Sequence, residues 1–594
     1  GEQGLHLTAD VARVDCAEIV VDNIRVRLID PHALFPEIKM VLAVPKHKVH
    51  RAATTDAIRA ANAAAETVKF TINSVDDFLQ LRHFPARSSV PREVRGQWAS
   101  IQRGALCAVL EAKDDSTRSA AMLSLVSLPN VWLPRNVSAR RIATHTNSNT
   151  QFALEMKQPR AKTGMTQNHA QRIAATVTQK AKNRDMRGAV KVLQCEAEAE
   201  PVTEEQRFEQ LKSKFPTELK FPIKYAVKDQ QLPAMSVTLL RKALKSMKRS
   251  AAACISGWCK GLVADAIEDC PEIAELWCTL VVQILRGQFE SLVMECLRAA
   301  RLVPVPKPDG GARPIAVIEF ILKLAGAMSM KESGPTCEQW QYAIGRQASP
   351  AMIVHRLREH RRLGRIVTKF DLSNGFGEMS RRLVERSIDE NERSLYLRAY
   401  FRNIALPPRL MAVYGATTVR TFQSPEGFSQ GDACSAYFFC RGLDDPIRLV
   451  LAEAVQKNIM ITDVLTWMDD INFVTNNVND AAVVTEIVRR HFDAYKIPIN
   501  MSSNKTAVLI PASDDLWWNE ELLRSFKNLI TVQTADRPFV VLGADISDSP
   551  GQFLDEYASK QEQFFRILQR VDIHPSILFT ILRTCGNPRL LYLC

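Results

Sequence analysis

The sequence lacks any apolar run long enough to span a bilayer, and no signal peptide is visible in it, so no membrane partner is expected. Its 13 cysteines include no Cys-x-x-Cys spacing, which removes the usual zinc-finger and disulfide-framework readings. Unpaired thiols fit a reducing compartment. Internal repeats and long low-complexity tracts are also missing. What is present is length and positive charge. At 594 residues and 66.6 kDa the chain can build several domains with substantial cores. Lysine and arginine number 77 against 65 acids, a formal charge of +12 with a pI near 9.1. That excess suits a phosphate backbone, whose binding releases counterions and depends on salt. A ribosomal or membrane-surface protein would satisfy the same balance.

Along the chain, residues 1–200 are alanine-rich and of obscure role, with strands expected from Glu18 to Leu28 and a helix from Thr55 to Val68. Between Lys157 and Arg187 stand eight basic residues and one acid, Asp185, a run that either follows nucleic acid or is a solvated linker. The acidic stretch Glu196 to Glu205 reverses the sign and reads as a boundary. Residues 206–300 read as helices: Leu239, Leu240, Ala243, Leu244 and Met247 recur at helical spacing, leaving Arg241, Lys242, Lys245 and Lys248 mostly outward. Residues 301–548 mix short strands with helices, and Phe553 to Leu582 returns to amphipathic helices. The fold class is α+β. The chain starts at Gly1 without methionine and stops in the apolar stretch Leu590 to Cys594, so a fragment of a longer open reading frame is expected.

The chain contains five Asp-Asp pairs, at 76, 114, 444, 469 and 514. Only Asp469-Asp470 is flanked on both sides by β-formers without a nearby proline; Trp467-Met468-Asp469-Asp470 reads as the turn of a strand–turn–strand hairpin. Two carboxylates about 4 Å apart repel by roughly 4 kcal/mol at an effective dielectric of 20. A divalent cation is the usual offset. Upstream, the β-rich run Arg365 to Leu372 ends in a third acid, Asp371, before Ser373-Asn374-Gly375-Phe376-Gly377 turns toward a helix near Met379. Alone, Asp371 could equally be a solvated strand end. With the hairpin it completes a hard oxygen set of the kind Mg²⁺ prefers, and two such ions can clamp a phosphoryl transfer. Pro308-Asp309-Gly310-Gly311 is a tight turn between two apolar runs, with Lys307 and Arg313 on its arms. That is a clamp for a triphosphate, or a solvated hairpin.

Taken together these segments resemble the reverse transcriptases. Lys307 to Ile315 is similar to the fingers hairpin, and Phe370-Asp371-Leu372-Ser373-Asn374-Gly375-Phe376 to motif A. Gly427-Phe428-Ser429-Gln430-Gly431-Asp432-Ala433-Cys434-Ser435 resembles motif B, and Trp467-Met468-Asp469-Asp470 motif C, with Trp where Tyr or Phe is usual. Asn504-Lys505-Thr506 fits motif D, and Val541-Leu542-Gly543-Ala544-Asp545-Ile546 the motif E primer-grip hairpin. The resemblance implies a right-hand polymerase with fingers and palm over 301–548, a partial thumb over 549–594 and a helical, basic N-terminal extension. It implies RNA-directed DNA synthesis from dNTPs on template RNA and primer or target DNA, with two Mg²⁺, or Mn²⁺ in their place. Asp371, Asp469, Asp470 and the Leu372 carbonyl would hold the metals, and Lys505 would protonate the leaving pyrophosphate. Lys307 and Arg313 would grip phosphates, and Gln430 and Gly431 would lie beneath the templating pair, in a loop that alone is an ordinary helix start. Leu542 and Gly543 would hold the primer.

Phe376, five residues after the first acid, would block a 2′-hydroxyl; RNA-copying RNA polymerases tend to have an acid there and Gly-Asp-Asp in motif C. Phe376 alone could also simply pack beneath the palm. A catalytically silent RNA-binding relative and an RNA-dependent RNA polymerase remain the alternatives. Val303 to Val317 and Ile581 to Arg589 look most like non-LTR retrotransposons, nearest the elements inserted in spliced-leader RNA genes of kinetoplastids, which carry a downstream endonuclease. A nuclear site of action is the matching expectation.

Overall fold

A computed structural model describes residues 16–21 and 24–29 and most of 72–586. Outside it lie the short stretches 136, 148–168, 183–185, 195–202, 223–230, 249–250, 307–310, 347–348, 416–417, 503–504, 511–525, 527–529, 549 and 571–572. The expected helix at Thr55 to Val68, Lys307 with its Pro-Asp-Gly turn, and Asn504 therefore lie outside the described residues. The chain divides into Gly1–Thr54 and Thr55–Cys594. In the first unit β1 (Cys16–Val21) and β2 (Ile24–Ile29) pair antiparallel, as the early strand pattern predicts.

Two sheets organise the second unit. One is the four-stranded order β4-β3-β6-β7, made of β3 (Ala300–Pro306), β4 (Ala312–Ile318), β6 (Arg409–Tyr414) and β7 (Val419–Ser424). β3 and β4 form the expected hairpin, with Val305 opposite Arg313. The strands β6 and β7 are not read from the sequence.

The other sheet has the order β11-β10-β5-β9-β8. At its centre β5 (Ile366–Asp371) is β-branched and buried until its last residue, as expected of a strand covered on both faces. β8 (Ile461–Trp467) and β9 (Asp470–Thr475) are the hairpin flanking it, while β10 (Ala507–Ile510) pairs antiparallel with β5 and parallel with β11 (Thr531–Thr534). β12 (Val540–Val541) and β13 (Ala544–Asp545) make a separate small hairpin with Leu542 and Gly543 at its turn.

Helix Ser435–Gln456 packs between helices Arg381–Asn391 and Val478–Ala494, the latter lying on β5 and β9. The helix near Met379 begins at Arg381, after a single turn at Gly375–Glu378. Helix Val237–Ser246 buries Leu239, Leu240, Ala243 and Leu244, as its period predicts.

Residues 1–200 do not form one region. Helices Arg95–Leu110 and Asp115–Trp132 bury Trp98, Leu106 and Trp132 in the same core as Trp277 and Phe320. Nor are residues 169–194 a solvated linker. Helices His169–Lys182 and Met186–Gln194 bury Val177, Ala189 and Val190 against Phe564, Leu568 and Ile581 of helices Gly551–Arg570 and Pro575–Ile581. Apolar side chains spaced along a basic run supply that face, and charge counting hides them.

Candidate functional site

The β5–β9 register decides where the acids stand. Asp371 lies directly opposite Asp470, and Trp467 pairs with Asp470 across the β8–β9 turn. Directly opposed residues in an antiparallel pair share a face, so the two carboxylates approach each other. Met468, at the turn, has φ of 54°, and its N–H donates to the Gln341 side chain at 3.2 Å. A bulky residue held in the left-handed region is strain of the kind found at functional sites. The turn after Asp371 also abuts the hairpin: a Cβ on Gly375 would come within 3.3 Å of the Asp469 Cβ. The three carboxylates named from the sequence are therefore brought together from two distant segments.

Their electrostatics follow from that crowding. Burial, followed by the Asp469 and Asp371 charges, lifts Asp470 to about 6. Burial lifts Asp469 as well, and the Asp371 charge adds to the rise, while Arg313 and Lys505 oppose it. Exposed Arg313 on β4 is thus within electrostatic reach of the acids. Asp371 accepts from the Asn500 side chain at 3.2 Å, its backbone N–H donates to Thr506 Oγ1 at 3.2 Å, and Lys505 Nζ stands 3.6 Å from Oδ1. Leu372 is buried and bridges to Ile499. The donors are all hard oxygens, the class that suits Mg²⁺, and clustered partly buried acids gain from a cation. Among the described residues, no group of three or more His, Cys, Asp and Glu side chains stands as a preformed metal site.

The neighbouring Asp-Asp pairs with described side chains have structural work instead. Asp114 caps helix Asp115–Trp132 by accepting from the Thr117 N–H at 2.8 Å. Asp444 pairs with Arg441 at 2.8 Å, and Asp445 with Arg386 and Arg448.

The Phe376 ring stacks on Phe439 at 4.7 Å and 9°, and its carbonyl accepts from the Phe428 N–H at 2.7 Å. Gln430 and Gly431 lie against β4: the Gln430 carbonyl accepts from the Ala316 N–H at 2.9 Å. A Cβ on Gly431, whose φ is 126°, would come within 2.4 Å of the Ala316 carbonyl. Asp432 accepts from Tyr400 at 2.9 Å and pairs with Arg409 at 3.3 Å, anchoring this loop from below.

Sequence reasoning missed Lys369. Its ammonium is buried, donates to the Val540 carbonyl at 2.9 Å and lies 5.4 Å from the Phe539 ring centre. Burial lowers its proton affinity, while Asp470 and Asp371 raise it. Lys369 therefore joins the central sheet to the β12–β13 hairpin on the carboxylate side. The signal was available: two residues before Asp371 on a strand means the same face. Asn500 and Gln341 were also missed, and nothing local marks them; Thr506 lies in the motif D segment, but its bond from the Asp371 N–H is visible only in the fold.

Residues 305–546 match the family model described as "Reverse transcriptase (RNA-dependent DNA polymerase)". No curated protein matches the chain. That span is about two fifths of the chain, and over it the sequence is similar to reverse transcriptase domains.

Proposed function

We propose that this chain, through residues 305–546, copies template RNA into DNA by transferring nucleotides to a primer 3′-hydroxyl, as the polymerase of a non-LTR retrotransposon primed from target DNA. The observation that carries the reading is the β5–β9 register, which sets Asp371 opposite Asp470 and beside Asp469. Asp371, Asp469, Asp470 and the Leu372 carbonyl would hold two Mg²⁺ ions. Bound there, Mg²⁺ activates the primer 3′-hydroxyl and neutralises the triphosphate. Lys505, 3.6 Å from Asp371, would give a proton to the departing pyrophosphate. Lys307 and Arg313 would hold the triphosphate, Arg through a forked set of donors. Gln430 and Gly431, anchored on β4, would support the template pair, and Leu542 with Gly543 would hold the primer end. Phe376, backed by Phe439, would bar a ribose 2′-hydroxyl.

Primer extension on poly(rA)/oligo(dT), comparing dTTP with rUTP, tests the proposal. Magnesium-dependent incorporation of dTTP well above rUTP is the expected result. Preference for rUTP would make the chain an RNA polymerase. Tight RNA binding without extension would make it a silent RNA-binding relative.

A further inference from the structure

Residues 213–222 precede the matched span, form no regular element, and run along the outer side of the turn that carries Phe376. The Asn374 side-chain amide donates to the Lys214 carbonyl. Gly377 lies so close to that carbonyl that a Cβ would come within 2.5 Å of it. Further along, the Lys220 ammonium donates to the Glu378 and Lys496 carbonyls at 2.7 Å each and pairs with the Glu378 carboxylate at 2.8 Å. The Lys220 N–H donates at 2.8 Å to Glu426, whose other carboxylate oxygen accepts from the Arg381 N–H at 2.7 Å. The strap is itself anchored: Phe215 is buried 5.6 Å from the Phe422 ring on β7, and Phe221 lies under the Lys496 ammonium at 5.0 Å.

The inner side of the same turn is equally constrained. Phe376 is fixed by the Phe428 N–H and the Phe439 ring. Gly427, with φ of 73°, approaches so closely that a Cβ would come within 2.1 Å of the Gly377 carbonyl. The turn is thus held from both sides, with Asn374 in the left-handed region at φ of 52°. An apolar wall rejects an added hydroxyl only weakly, by about a hundredfold, and less if the wall can retreat. Its precision depends on the residues behind it.

We infer that residues 214–220 buttress the Phe376 wall, so that a segment outside the matched span helps set the choice between deoxyribose and ribose. Lys220 and Asn374 are its positioning residues. The inference rests on the proposed role of Phe376 at the nucleotide sugar.

The test uses the full chain and single-nucleotide extension of oligo(dT) on poly(rA), measuring kcat/KM for dTTP and for rUTP. Phe376→Ala should collapse the dTTP/rUTP ratio. Lys220→Met and Asn374→Ala should each lower it about tenfold by raising rUTP use, while kcat/KM for dTTP stays within about threefold of wild type. Lys220→Arg should recover most of the ratio. If Phe376→Ala changes the ratio but Lys220→Met and Asn374→Ala do not, the buttress is plain packing and the inference fails. A parallel loss with both nucleotides means the same. An unchanged ratio in Phe376→Ala instead overturns the sugar-wall reading, and the inference with it.

Discussion

Replacing Asp470 with Asn keeps the side chain's shape and removes one of three mutually repelling charges. Burial and the Asp469 and Asp371 charges raise Asp470 from an ordinary 3.8 to about 6. Each factor of ten in proton affinity is worth about 1.4 kcal/mol, so the ionised group costs the metal-free fold about 2–3 kcal/mol once water screening is allowed for. The sign follows from proton counting. Between about pH 4 and 6 the folded protein holds a proton that the unfolded chain has released, so stability falls as pH rises through this window. The substituted amide cannot ionise and escapes that loss. Thermal melting in EDTA from pH 4 to 8 should therefore show D470N gaining on wild type as pH rises. The gap should reach about 2–3 °C at pH 8 and close toward pH 4. Magnesium should narrow it by stabilising the wild-type site. A wild-type-to-variant difference that stays constant across this range would refute the crowding of the three carboxylates.

Lys369→Met keeps the chain length but removes the donation to the Val540 carbonyl. Primer-extension kcat should fall about tenfold, and the metal-free fold should melt lower because Asp470 and Asp371 lose a buried counter-charge; unchanged kcat would reduce Lys369 to packing. Phe564→Ala empties the contact between helix Gly551–Arg570 and the helices of residues 169–194, at a cost of about 3–4 kcal/mol. Hydrogen exchange in residues 169–194 should accelerate in that variant, and unchanged protection would show that the two helix pairs are independent.

The legible parts of the fold were those with a local signal. The β3–β4 hairpin shows a Pro-Asp-Gly-Gly turn between apolar runs, and the β8–β9 hairpin shows paired acids between β-formers. Each is fixed by neighbours in sequence. The strap at 213–222 has no such signal: its backbone is irregular, and its bonds join residues 158 to 276 positions apart. Lys369 was half legible, since strand alternation puts it on the Asp371 face, but its partner at Val540 appears only when the hairpin folds back. The packing of residues 169–194 was hidden by the basic residues that dominate their composition.

On the proposed function, Asp371, Asp469 and Asp470 work as one metal-dependent set. The most direct test of this is magnesium-dependent primer extension by Asp469→Asn, with melting temperature measured on the same preparation. Loss of at least about a thousandfold in rate with the fold retained is the predicted outcome. Extension at the wild-type rate by a folded Asp469→Asn protein would contradict the claim.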